Sequence, residues 1–208
     1  MDALFVFGHK FIRHGSKIYS PGQFPYAAWK RYLHHFDCLT VFARRLVSTS
    51  YSSFSRLNRS DGPSVSFELL PESNSLVGRV VRPLKSRNRL GSLIASSDAV
   101  ILRNGPLAWQ AARLCRKLST PWAIEVTGVM WEAFWHHGSM AAKLYAPLAE
   151  GLSKYWVARA PYALYVTEKT LQNRYPCNDG VTAGISNAMI PEPERKVLYH
   201  MLRINIQV

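Results

Sequence analysis

Between Glu125 and Gly138 the chain reads EVTGVMWEAFWHHG. A carboxylate (Glu125), two tryptophans (Trp131 and Trp135) and two adjacent histidines (His136 and His137) fall within fourteen residues. Aromatic faces can stack on sugar rings while a carboxylate and an imidazole take the hydroxyls, so this combination suits a saccharide. A His137-Gly138 pair just before a helix would equally suit a phosphate. Trp131 and Trp135, spaced i and i+4, could instead be core residues on one face of a short helix. Glu125 and Glu132 are the candidate general bases, and Glu125, expected at a strand end, is the one we assign to catalysis.

A second cluster, GHKFIRHGSKIYSPGQFPY, spans Gly8–Tyr26 and combines His9, Lys10, Arg13, His14 and Lys17 with Gly15, Ser16, Ser20 and Gly22. Glycines let backbone approach a ligand closely, and a following helix offers unpaired N–H groups, so an anionic or polyhydroxyl ligand fits. A solvated basic loop with His9 packed at the sheet edge is the alternative. The spacing matches neither a Walker loop nor GxGxxG. There is no GxSxG elbow for a hydrolase triad, and the adjacent histidines lack HExxH spacing, so no metal is expected. Cys38, Cys115 and Cys177 are odd in number and far apart, which argues against disulfides or a zinc site and for a reducing cytoplasm.

The elements that must position these groups alternate along the chain. Apolar runs at Ala3–Phe7, Leu39–Ala43, Ser64–Leu70, Ala99–Arg103, Trp122–Val126 and Ala163–Val166 predict about six strands, most of them buried on both faces. Of these, Leu4–Phe7, Val100–Leu102, Ala123–Val126 and Leu164–Val166 are expected as adjacent parallel strands. Helical spacing links Tyr26, Trp29, Leu33 and Phe36. Asn104 is the expected N-cap of a helix with Pro106 in its first turn and a buried stripe of Leu107, Ala111, Leu114, Cys115 and Leu118. Ser139 is expected to cap a long helix with Met140, Leu144, Leu148, Leu152, Tyr155 and Trp156 as its apolar face, kinked or broken at Pro147. Thr167 is expected to cap a short helix stopped by Pro176. Arg79–Arg89, with five basic residues in eleven, reads as an exposed loop or the start of a solvated helix. The pattern predicts an α/β fold, a Rossmann-like three-layer sandwich with a mostly parallel sheet. Ligands then collect at the carboxyl ends of the strands, which nominates His9–Pro25, Asn104–Pro106, Thr127–Ser139 and Thr167–Lys169.

The chain has 208 residues, 48% of them apolar, and a net charge of +13. Residues 1–60 hold nine Lys/Arg against Asp2 and Asp37. Such a field attracts phosphorylated substrates, an anionic membrane face or nucleic acid. The basic residues are spread over several loops rather than along one reading helix, which argues against nucleic acid. No run of about 20 apolar residues is present, so no transmembrane helix is expected.

Four segments, His9–Arg45, Trp122–Gly138, Ala163–Pro176 and Gly184–Pro191, resemble in order the family-4 GT-B glycosyltransferases of capsular and exopolysaccharide pathways. The resemblance covers about residues 3–191. It implies two facing Rossmann-like domains, with the acceptor held by the N-terminal one and a nucleotide-sugar co-substrate by the C-terminal one, and no bound cofactor or metal. Residues 1–190 would be the N-terminal, acceptor-side domain, and 191–208 a linker or divergent tail without the donor domain. The acceptor would be a glycan or a lipid-linked saccharide pyrophosphate. Glu125, Gly128, Trp131, Trp135, His137, Thr167 and Glu168 would surround the saccharide, with His9, Lys10, Ser20 and Gly22 lining the first loop. A cytoplasmic protein, peripheral on the inner face of the plasma membrane, follows as an expectation. So do a non-catalytic subunit pairing with a separate donor domain, and an inactive gene fragment.

Overall fold

The computed structural model describes residues 1–22, 24–46, 57–70, 76–136 and 139–185, with 76–85 as backbone only. Seven parallel strands are laid out in the order β5 (Val65–Leu70), β3 (Cys38–Arg45), β1 (Asp2–His14), β6 (Ala99–Arg103), β7 (Trp122–Val126), β8 (Tyr162–Tyr165) and β9 (Val181–Gly184). The four strands expected to be neighbours are β1, β6, β7 and β8, adjacent and parallel. The order reverses between β1 and β6, because the chain steps outward from β1 to β5 and then returns to β6.

The Gly8–Tyr26 cluster is built differently from the expected loop. β1 continues through His14 and turns back as β2 (Lys17–Ser20), pairing His14 with Lys17 across Gly15-Ser16. Gly15 takes φ +57°, which glycine adopts without the steric cost a Cβ brings. A register shift between Val6 and Lys10 interrupts the pairing of β1 with β3, which resumes at Lys10 with Arg44 and Phe11 with Arg45, before Ile12–His14 pair with β2. β2 then pairs with β4 (Asn58–Arg59), adding a small antiparallel extension.

Alternation along the strands divides the core in two. Leu4, Val6, Val100, Leu102, Ile124 and Val126 face helices α2 (Leu76–Ala95), α3 (Pro106–Leu118) and α5 (Met140–Ala158). Ala3, Phe5, Leu39, Val41 and Ala43 face Phe24, Trp29 and Tyr32 on the other side. There a 3-10 turn (Tyr26–Ala28) leads into a single helical turn, α1 (Lys30–Leu33), shorter than the spacing predicted. The basic stretch Arg79–Arg89 lies within α2.

Several helix expectations need correction, and Leu118, expected in the buried stripe of α3, is exposed. Gly105 is the N-cap of α3, while the buried Asn104 side chain accepts from Trp109 Nε1 at 2.8 Å and donates to Ser153 Oγ at 2.6 Å, tying α3 to α5. Ser139 does cap α5, accepting from the Ala142 amide at 3.2 Å, but Pro147 lies inside an unbroken helix. Of the expected apolar face of α5, Trp156 is buried and Leu152 packs partly buried on the core, but Met140, Leu144, Leu148 and Tyr155 are exposed, and Ala146, Ala149, Glu150, Ser153 and Val157 are buried beside Trp156. Small residues allow the helix to approach the sheet closely, which decides the packing against the larger but outward leucines. Among the described residues no helix is long and apolar enough to cross a membrane.

Candidate functional site

Arg103 and Glu125 end adjacent strands and are direct register partners. Alternation turns both toward the face that carries Phe5 and Tyr32. The Glu125 carboxylate is 6% exposed and accepts three hydrogen bonds: from Arg103 Nε and Nη2 at 3.0 and 2.8 Å, and from the Tyr32 hydroxyl at 2.6 Å. The Arg103 guanidinium lies 4.9 Å from the Phe24 ring centre and 5.1 Å from that of Phe7, so its faces meet aromatic π clouds. Burial first, then the Glu125 carboxylate, push the Tyr32 phenol well above its ordinary pKa, so it remains a donor. Arg31 donates to the same phenol oxygen at 2.7 Å. Arg31, Tyr32, Arg103 and Glu125 line a cavity of about 370 Å³, together with residues that include Phe36, Ile101, Ala123, Thr127, Leu164 and Val166.

His9, Ser20 and Gly22, expected together, are together. His9 Nε2 lies 3.0 Å from Ser20 Oγ, which accepts from the Gly22 amide at 3.2 Å. The imidazole stacks on Phe7 and meets Phe11 and Phe24. Burial, then the Arg103 charge, hold its pKa below the ordinary value, so it is neutral at neutral pH. Lys10 follows on β1, in register with Arg44.

The loop after β7 leads into α4 (Met130–Trp135). Trp131 and Trp135 stack on each other with ring centres 5.3 Å apart, and Trp135 is 42% exposed. Neither lines the cavity that holds Glu125. Gly128 has open space where a Cβ would stand. The N-cap of α6 (Thr170–Arg174) is Lys169 and not the expected Thr167, although Thr167 Oγ1 accepts from the Leu171 amide at 3.0 Å; Glu168 beside it is exposed. His137 and the segment 191–208 lie outside the described residues.

A second buried carboxylate, Glu150, escaped the sequence reading. It accepts from the Tyr175 hydroxyl at 2.6 Å, from Arg174 Nε at 2.8 Å and from the Trp131 amide at 3.1 Å. Burial opposes its ionisation, but the hydrogen bonds from Tyr175, Trp131 and Arg174 outweigh it and hold its pKa below the ordinary value. It therefore fixes the start of α4 against α6 at the carboxyl edge. No sequence signal marked it. The Arg103–Glu125 pair was missed too, although opposite charges near the ends of neighbouring strands were a signal for it. Tyr32 gave no such signal, because 93 residues separate it from Glu125.

Where the strand order reverses, a crevice of about 300 Å³ opens between Gly8 of β1, Arg44 of β3 and Pro106, Leu107 and Gln110 of α3. Gly105 gives α3 no side-chain cap and Pro106 carries no N–H, so the amides of the first turn begin at Leu107, which lines the same crevice as Arg44.

No protein-family model matches the chain. Over 202 residues it is 33% identical to Protein CapJ of Staphylococcus aureus, an alignment covering 95% of this chain and 50% of that protein. The chain thus spans about half the length of this curated relative. A structure of Phytolacca americana UGT2 complexed with UDP-2fluoro-glucose and pterostilbene superposes with a TM-score of 0.54 at 15% identity, covering 92% of this chain and 55% of that one. Sucrose-phosphate synthase from Thermosynechococcus elongatus gives a TM-score of 0.49 at 12% identity, over 89% of this chain and 47% of that one. The mixed α/β fold with its mostly parallel sheet is that of a Rossmann-like unit of GT-B glycosyltransferases.

Proposed function

We propose that the chain is the acceptor-side half of a glycosyltransferase that extends a capsular or related polysaccharide from a nucleotide-sugar donor. The similarity to half of Protein CapJ supports the pathway class. The observation that carries the acceptor role is the crevice at the strand-order reversal, where Arg44 and the uncapped start of α3 offer charge and amides to a pyrophosphate or a hydroxyl-rich group. In the reaction, the acceptor hydroxyl attacks the anomeric carbon of the donor sugar and the nucleoside diphosphate leaves. His9, Lys10, Ser20 and Gly22 on the hairpin, with Gly128, Trp131, Trp135, His137, Thr167 and Glu168 on the far loops, would border the acceptor. Glu125 could serve as a base only by giving up Tyr32 or Arg103, so we assign it to positioning those two groups. The donor sugar nucleotide belongs, on this reading, to a second Rossmann-like unit, in the same polypeptide or as a separate subunit. A lipid-linked saccharide pyrophosphate at the inner face of the plasma membrane is the acceptor that best fits the basic surface.

The test titrates the purified chain with a short-chain polyprenyl-pyrophosphoryl saccharide and, separately, with UDP-, GDP- and dTDP-sugars. The acceptor analogue should bind, and Arg44→Ala should weaken it by about 1–3 kcal/mol, the scale of a lost charged hydrogen bond. No turnover is expected from the chain alone. Robust transfer by the chain alone, or a nucleotide sugar held in this crevice in place of the acceptor, would overturn the assignment.

A further inference from the structure

Helix α5 presents a row of apolar side chains to solvent. Met140, Leu144, Leu148 and Tyr155 are 70%, 77%, 56% and 44% exposed, and the exposed Pro147 and Gly151 fill the gaps between them. At 1.5 Å per residue the row is about 22 Å long. An apolar strip of this kind lacks the partner that its removal from water would favour. Cation–aromatic pairs stand at both ends. Lys143 Nζ lies 5.9 Å from the Trp135 ring centre, and Arg159 Cζ lies 3.9 Å from that of Tyr155. The exposed Lys154 stands beside the row as well, though its charge is partly offset by Glu150, 3.9 Å away. The one acid of this helix, Glu150, is buried, bonded to Arg174 and Tyr175 and paired with Lys154, so it presents no free negative charge to an anionic partner.

Long apolar side chains in line, flanked by lysine and arginine with interfacial aromatics, match a helix lying in the plane of a membrane surface. We propose that this face of α5 docks on an anionic lipid bilayer. Met140, Leu144 and Leu148 enter the acyl boundary while Lys143, Lys154 and Arg159 sit at phosphate level. The partner's charge follows from these cations together with the net charge of +13. The proposal names a docking surface on its own observations and does not depend on the sugar-transfer reading.

Co-sedimentation of the 208-residue chain with vesicles of phosphatidylglycerol and phosphatidylcholine, against phosphatidylcholine alone, gives the first readout. The anionic vesicles should capture the chain. The double variant Leu144→Glu, Leu148→Glu should lose more than about tenfold in vesicle affinity, with an unchanged melting temperature because both side chains already face water. Tryptophan fluorescence should be quenched by brominated lipid, and less so in Trp135→Phe. Wild-type affinity in the double variant would show that basic residues elsewhere suffice, and would overturn the proposal. Equal binding to neutral vesicles would also overturn it. So would a dimer in light scattering that the double variant dissolves without any vesicle binding, since a second copy would then cover the row.

Discussion

The Glu125 carboxylate holds Arg103 and Tyr32 in a buried network, and among the described residues no fully buried side-chain nitrogen or oxygen lacks a partner. Removing the charge leaves the Arg103 guanidinium buried without its counter-ion, and that unpaired charge costs more than the original pair contributes. Glu125→Gln should therefore destabilise the fold by about 3–5 kcal/mol, the range for breaking a buried pair from one side. Replacing Arg103 by Met at the same time should recover part of that loss. Urea unfolding of the single and double variants checks both outcomes. A single variant as stable as the wild type would mean that water reaches the guanidinium.

Among the elements, α5 separates two roles that its sequence blends. The inward face is small and tightly fitted, with Ala146 and Ala149 fully buried, while the larger Leu148 beside them is exposed. Extra volume on the inward face must push against the sheet, at a cost of about 1–3 kcal/mol. Ala149→Leu should be destabilised by that amount. Leu148→Ala should change stability by less than about 0.5 kcal/mol, because it empties only solvent-facing space. Thermal melts of the two variants decide the orientation of the helix. The opposite ranking would rotate α5 and bury its leucines.

In the whole molecule, burial is concentrated where strands are covered on both sides. β1 and β6 sit at the centre of the seven parallel strands, whereas β9 lies at an edge with all four residues exposed. Local opening is cheapest where few apolar contacts are lost. Native-state hydrogen exchange should therefore be slowest at Leu4–Val6 and Val100–Leu102 and orders of magnitude faster along β9, as expected when opening free energies range from near zero to the global value. Uniform protection from β1 to β9 would instead indicate that β9 is covered by a partner.

Apolar runs alone determined the central architecture. Ala3–Phe7 and Ala163–Val166 are unbroken apolar runs, and Ala99–Arg103 and Trp122–Val126 are interrupted only by Arg103 and Glu125 near their ends, a pattern that points to strands covered on both faces. Local chemistry also gave the Ser139 cap, whose hydrogen bond spans only three residues. The grouping of His9, Ser20 and Gly22 was legible too, although the two-residue turn at Gly15-Ser16 that achieves it was not recognised as a hairpin. The orientation of α5 was not legible, since its two faces are both apolar and side-chain size against the sheet decides between them. Neither were Tyr32 on Glu125 and Tyr175 on Glu150, which meet across 93 and 25 residues. Such contacts depend on how elements distant in sequence pack, so only the tertiary structure could decide which carboxylates are free and which are held.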